Sequence, residues 1–321
     1  MAAAVALMSL LWQGGSGVQA KSPYSRRADS VQRKAQPQYG FDNLSAQSWL
    51  LIEARTGRVL SSKSPDSVMY PASITKIMTC VLAIESGRLN DTITITPKAA
   101  RTESTTVQAG YTFRLRDLLD EMMLESDNGA AQAVADYLST DERPFITQMN
   151  AKAKQLGMKN THYANPHGLP NTNNYSTASD LMRLVQYAMS NRTFASIVGN
   201  YEKTVPLIYP QGKVMRCRST NKLLTRYEGA NGVKTGYIRA AGGCLASAAK
   251  RNGIQLYLVL LKCLPVRARF DESAFLLDYG FDRARYISTI DTNPSIPYPK
   301  VRRPRNNSVI VPLPRKGKSR R

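Results

Sequence analysis

Strand-like segments lie near the two ends of this chain and are scarce between them. Ser48 to Ala54 reads as a strand, Arg55-Thr56-Gly57 as a turn, and Arg58 to Ser62 as a second strand. Far downstream, Gly232–Ile238, Gly242–Ala249 and Ile254–Leu261 read as three more strands. Lys250-Arg251-Asn252-Gly253 is a strong hairpin turn between the last two. Ile254–Leu261 is apolar along most of its length, which predicts a buried strand. Between these ends the apolar period is helical, apart from the short alternating run Thr92 to Thr96.

The helical stripes are distinct. Ile74, Ile77, Met78, Val81 and Leu82 form the first, which stops at Gly87. Leu115, Leu118, Leu119, Met122 and Met123 form the second. Ala130–Leu138 and Pro144–Leu156 follow, the latter ended by Gly157. Ser176 reads as the N-cap of a helix with Asp180 in its first turn and Leu181, Leu184, Val185 and Ala188 on its apolar face. Phe270 to Tyr279 reads as a final helix ended by Gly280. Strands at both ends around a run of helices predict an α+β fold, an α/β sandwich. One antiparallel sheet is built from both chain ends and flanked by helices, with a helical subdomain inserted.

Charge is distributed unevenly. The net charge is +21, yet residues 300–321 hold nine cations and no acid, and residues 21–38 hold five cations and one acid. That leaves +8 for residues 39–299. A basic tail suits an anionic surface such as phospholipid, wall polymer or nucleic acid, or is simply solvated. No recognised nucleic-acid motif accompanies it, so a nucleic-acid partner is not expected. Ala2 to Trp12 is an apolar run too short to span a bilayer, and Val18-Gln19-Ala20 is a small-x-small cleavage site. The expected organisation is a signal peptide at 1–20, a basic linker at 21–40, one domain at 41–285, and a Pro-rich, basic, disordered tail at 286–321. The product would be exported and not transmembrane. Cys80 falls in an apolar helix and reads as core, and one disulfide among Cys217, Cys244 and Cys263 is open. Metal ligation is not expected, because His162 and His167 are the only histidines and neither sits with a cysteine pair.

Three short motifs carry the chemistry. Ser73-Ile74-Thr75-Lys76 opens the first helix, which places Ser73 and Lys76 on one face. A helix N-terminus favours developing negative charge, and a serine nucleophile needs an adjacent base. Lysine serves as one only when neutral, so its ordinary pKa of about 10.4 must be lowered by burial or a second cation. Ser126-Asp127-Asn128 ends the second stripe, and Lys234-Thr235-Gly236 lies in the first of the C-terminal strands. Each is weak alone. In this order and these contexts they are specific.

The chain resembles the serine D-alanyl-D-alanine carboxypeptidases, the low-molecular-mass penicillin-binding proteins, over about residues 40–285. The likeness extends to Pro71-Ala72-Ser73, Asn165-Pro166-His167-Gly168-Leu169, Ser179-Asp180-Leu181 and Gly232-Val233-Lys234-Thr235-Gly236-Tyr237. It implies that Ser73 is acylated by the penultimate D-alanine of a peptidoglycan stem, with Lys76 as base. Ser126 would relay a proton to the leaving amine, and Asn128 would hold the substrate amide. Lys234 would keep Lys76 deprotonated and attract the terminal carboxylate, which Thr235 would also bind. Gly236 would leave room for substrate backbone, and the N–H groups of Ser73 and Tyr237 would form the oxyanion hole. It implies no cofactor, β-lactams as covalent inhibitors, and work in the periplasm or on the extracytoplasmic face. The basic tail would touch membrane or wall.

Other positions read as supporting. Asp127 is structural, Asp180 starts a helix, and His167 shapes its loop or lines the substrate groove. Arg239 meets a carboxylate or is a solvated edge residue. A class A β-lactamase would need a glutamate after the second motif, and none lies between Glu142 and Glu202. A closer rival is an endopeptidase of the same family, because Ile238 stands where a threonine is common among carboxypeptidases. The loop Asn165–Leu169 and Asp127 look like the carboxypeptidases. A wall-binding protein with a dead site would lack a catalytic group, and none is missing.

Overall fold

The structure, a computed structural model, describes residues 40–292 and the pair Ser308–Val309. The expected signal peptide, all but the last residue of the linker, and the rest of the tail lie outside the described residues.

In chain order, β1 (Ser48–Glu53) and β2 (Val59–Lys63) form the expected hairpin. A 3-10 turn, Ala72–Thr75, leads into α1 (Lys76–Glu85). The strands β3 (Thr92–Thr94) and β4 (Thr112–Arg114) pair around the short helix α2 (Pro97–Ala100). Helices α3 (Leu115–Leu124), α4 (Asn128–Ser139), α5 (Glu142–Gln155), α6 (Ala178–Ser190) and α7 (Arg192–Gly199) follow. A second hairpin, β5 (Glu202–Pro206) and β6 (Val214–Arg218), and one helical turn, α8 (Leu223–Arg226), lead to β7 (Ala230–Ile238), β8 (Gly242–Arg251) and β9 (Ile254–Cys263). The helix α9 (Ala268–Thr292) and the two-residue strand β10 (Ser308–Val309) complete the described residues.

The main sheet has the order β10-β2-β1-β9-β8-β7, with every neighbouring pair antiparallel. Strands from both chain ends therefore make one sheet, as their sequence positions predict. The apolar run of β9 is buried on both faces. Val259 and Leu261 join the core beneath the inserted helices, and Leu256, Leu258 and Leu260 join the core beneath α9. Helix α6 packs on β9 and β1 from one side and α9 packs on them from the other.

Four expectations change. Gly280 does not stop the last helix, which runs on to Thr292 and carries the ordered domain past residue 285. A Cβ at Gly280 would lie 2.9 Å from both Leu51 Cδ2 and Leu256 Cδ1, so the glycine lets α9 sit close on the sheet. Ser308–Val309 pairs with Lys63 and Ser62 of β2, so that part of the tail is extended strand. The helix after residue 176 is capped by Thr177, whose side chain accepts from Asp180 N–H, because Ser176 is drawn into a bridge with Met69. All four cysteines are free and buried, so no disulfide links Cys217, Cys244 and Cys263. Residues 192–226, for which the sequence showed no clear period, hold α7, α8 and the β5–β6 hairpin.

Candidate active site

Ser73 lies in the 3-10 turn, one turn before α1 rather than within it. Side chains three apart eclipse in such a turn. Lys76 Nζ accordingly lies 3.1 Å from Ser73 Oγ. Two further contacts fix the nitrogen: it donates to Asn128 Oδ1 at 2.5 Å and to the His167 carbonyl at 2.8 Å. A neutral amine has two hydrogens and one lone pair. In the neutral form, with both hydrogens taken by oxygens that can only accept, the lone pair would face the Ser73 hydroxyl. Lys76 is fully buried, and that burial pulls its pKa from 10.5 down to about 7 against the opposing charge of Asp127.

Each partner of Lys76 is held by its own element. Asn128 opens α4, and its Nδ2 donates to Glu103 O at 2.7 Å, which turns Oδ1 toward the lysine. His167 sits in the Asn165–Leu169 loop, which crosses behind Ser73. Gly168 has φ +88°, and a Cβ there would lie 2.0 Å from Ala72 O. Only glycine fits that approach. Asn165 Oδ1 accepts from Gly168 N–H at 2.7 Å, and Thr79 Oγ1 donates to Pro166 O at 2.6 Å. The His167 ring is buried, and burial with the nearby Lys76 charge pushes its pKa down to about 3. His167 thus shapes its loop and offers its carbonyl to Lys76.

Ser126 has φ +66°, in the left-handed region that costs a non-glycine residue energy. Ala72, beside Ser73, shares that strain at φ +49°. Next to Ser126, Asp127 caps α4 by accepting from Ala130 N–H at 2.7 Å, the structural role its position predicted.

Strand β7 brings the third motif. Lys234 and Thr235 are buried at 1% and 5% exposure. Burial lowers the pKa of Lys234 well below its ordinary value, and the charges of Lys76 and Arg269 add to that. At both lysines burial is the larger cause of the lowered pKa. Gly236 has a different reason from the expected one. A Cβ there would lie 2.9 Å from Pro71 O and 3.3 Å from Ser73 N, so the room it leaves is filled by this chain's own backbone. Tyr237 is next in line on β7 and is 54% exposed.

Two polar neighbours escaped the sequence reading. Thr220 Oγ1 lies 2.6 Å from Thr235 Oγ1, and Arg269 Nη1 donates to Gly236 O at 2.8 Å. Arg239, the arginine the sequence pointed to, is exposed. Neither Thr220 nor Arg269 sits in a motif; one comes from the loop after β6 and the other from α9. Among the described residues no group of three or more His, Cys, Asp or Glu could hold a metal ion, and no helix is long and apolar enough to cross a membrane.

Residues 31–263 match the family model described as D-alanyl-D-alanine carboxypeptidase. The chain belongs to that carboxypeptidase family. It is 31% identical over 265 residues to the D-alanyl-D-alanine carboxypeptidase DacF of Bacillus subtilis, covering 80% of this chain and 68% of that protein. It is 32% identical over 257 residues to a D-alanyl-D-alanine endopeptidase of Pseudomonas aeruginosa, covering 78% of this chain and 82% of that one. The crystal structure of the Streptomyces K15 DD-transpeptidase matches with a TM-score of 0.71 at 31% identity, covering 74% of this chain and 98% of that chain. As a member of the carboxypeptidase family the protein is a serine hydrolase of the penicillin-binding class, with the α+β fold of the K15 enzyme.

Proposed function

We propose that this enzyme removes the terminal D-alanine from peptidoglycan pentapeptide stems, through an acyl-enzyme on Ser73. The observation that carries the reading is the buried Lys76 amine, 3.1 Å from Ser73 Oγ with its other two partners both acceptors. Ser73 gives its proton to Lys76 and bonds to the carbonyl carbon of the penultimate D-alanine. The oxyanion faces the N–H groups of Ser73 and Tyr237, and each such donor contributes about 3 kcal/mol at the transition state. The amine of the terminal D-alanine leaves with a proton relayed by Ser126. Lys234 and Thr235 hold its carboxylate, Arg269 adds charge behind Gly236, and Asn128 holds the substrate amide. Water then cleaves the acyl ester.

Penicillin acylates the same serine and departs slowly. No glutamate lies between Glu142 and Glu202 to activate the water. Asp180, the sole acid in that stretch, already accepts from Asn160 N–H at 2.7 Å and Thr161 Oγ1 at 2.8 Å.

The enzyme acts outside the cytoplasm, on the wall, after loss of residues 1–20, and contributes to wall remodelling and cell shape. The nine cations of residues 300–321 tether it to anionic membrane or wall. Sedimentation with anionic vesicles at low and high salt, with and without those residues, tests the tether; equal binding by the truncated chain would rule it out. Endopeptidase cleavage of crosslinks is the second reading, favoured by the likeness to the Pseudomonas aeruginosa endopeptidase and by Ile238. Mass spectrometry of products from a pentapeptide monomer and a crosslinked dimer separates the two. Loss of one alanine from the monomer with the dimer intact, abolished in Ser73→Ala, supports the carboxypeptidase. A split dimer supports the endopeptidase.

A further inference from the structure

Glu121, on α3, is fully buried at 0% exposure. Its Oε1 lies 2.6 Å from Thr106 Oγ1, and Cys217 Sγ donates to its Oε2. Thr106 Oγ1 also lies 2.9 Å from Asp127 Oδ2. A hydroxyl has one proton and cannot donate to both carboxyl groups.

The surroundings of Asp127 decide where that proton goes. Its Oδ1 accepts from Thr105 Oγ1 and Ala130 N–H, and its Oδ2 accepts from the N–H groups of Thr106 and Val107. Donors converge on both oxygens, so Asp127 holds no proton to offer. If Thr106 donated to Glu121, its oxygen would face Asp127 Oδ2 lone pair to lone pair. If it donated to Asp127 while Glu121 was ionised, the same repulsion would arise on the other side. One arrangement satisfies every contact: Glu121 Oε1–H donates to Thr106 Oγ1, and Thr106 donates to Asp127 Oδ2.

We propose that Glu121 is a protonated positioning residue, a neutral carboxyl that locks Asp127 through Thr106 and so holds Ser126 and Asn128 on either side of it. Burial raises its pKa, hydrogen bonds from Cys217 and Thr106 oppose that, and the charges of Asp127 and Glu125 raise it further. Those groups come from β6, the loop before β4, the end of α3 and the start of α4. The consequence reaches the catalytic base, because Asn128 Oδ1 holds Lys76. An ionised Glu121 would also set a second negative charge beside Asp127, and Lys76 would keep its proton more tightly.

The kinetic part of this inference rests on the carboxypeptidase reading of Ser73 and Lys76; the protonation state does not. The test uses the full chain as wild type, Glu121→Gln, Thr106→Val and Thr106→Ser. The infrared difference of wild type minus Glu121→Gln at neutral pH shows the C=O stretch of a protonated carboxyl. That band shifts in Thr106→Val and returns in Thr106→Ser. Acylation by a fluorescent penicillin stays within about threefold in Glu121→Gln, whose amide donates in the carboxyl's place, and falls about tenfold in Thr106→Val with recovery in Thr106→Ser. Carboxylate bands alone in the difference spectrum, or Glu121→Gln as damaging as Thr106→Val, would overturn the proposal. A wild type that never reacts with penicillin would overturn the catalytic reading and leave the infrared result to decide Glu121.

Discussion

Gly236→Ala puts one methyl group where β7 meets the turn that carries Ser73. The added Cβ would sit 2.9 Å from Pro71 O, 3.2 Å from Ala72 Cβ and 3.3 Å from Ser73 N, while ordinary contact begins at 3.4 Å. The deficit of 0.5 Å falls on backbone that cannot swing away. On one side β7 is paired along its length with β8, and on the other Ala72 is braced by Gly168. Overpacking of this kind costs about 1–3 kcal/mol. For a domain of this size each kcal/mol lowers Tm by about 2–4 °C, so Tm should fall by about 2–12 °C. The turn carrying Ser73 should also move away from β7. A 1 Å misplacement costs roughly 100-fold in rate, so half that distance costs roughly tenfold in acylation. Differential scanning fluorimetry and stopped-flow acylation by a fluorescent penicillin read the two effects. If Gly236 served only to admit substrate, acylation would fall with Tm unmoved. A Tm within about 1 °C of wild type would therefore refute the close-approach argument.

Further outcomes follow from the same geometry. Acylation should rise tenfold per pH unit at low pH and level off near about 7, since protonated Lys76 cannot take the Ser73 proton; a pH-rate profile with a free penicillin reads this, and an acid limb near an ordinary lysine value would contradict it. The unfolded chain keeps that proton up to 10.5 and the folded chain releases it near about 7, so the contribution of Lys76 to stability rises with pH across that window, measurable by urea unfolding at several pH values. Asp127→Asn keeps a capping oxygen but removes the charge that raises the Lys76 pKa, so the acid limb should move to lower pH; an unmoved limb would remove Asp127 from the electrostatics. Gly280→Leu should destabilise by about 1–3 kcal/mol in urea, although leucine is the better helix former, because its side chain would enter the contact with Leu51 and Leu256.

Glycine shows where local reading ends. Gly87 and Gly157 stop helices with positive φ, as their positions after apolar stripes predict. Gly280 has the same local context and does the opposite, because α9 must lie against the sheet there. Gly236 was legible as a required glycine, but the neighbour that requires it was not. The β5–β6 hairpin went unread because one face of it points to solvent, leaving only Val205 and Cys217 as buried marks.

The sequence by itself determined β1, β2, β3 and β7 to β9, most helices and the three motifs. Those depend on residue type at fixed local spacing: the period of burial, and a nucleophile with its base three residues on. It also carried the α+β order, because strands cluster at both chain ends around a run of helices. Tertiary structure alone decided that Thr220 and Arg269 stand beside β7, that Arg239 is exposed, and that Thr106 lies between Glu121 and Asp127. It also decided how low the Lys76 pKa lies, since desolvation is set by everything packed around the amine. These contacts join residues far apart in the chain, and no local pattern of side chains encodes which of them will meet.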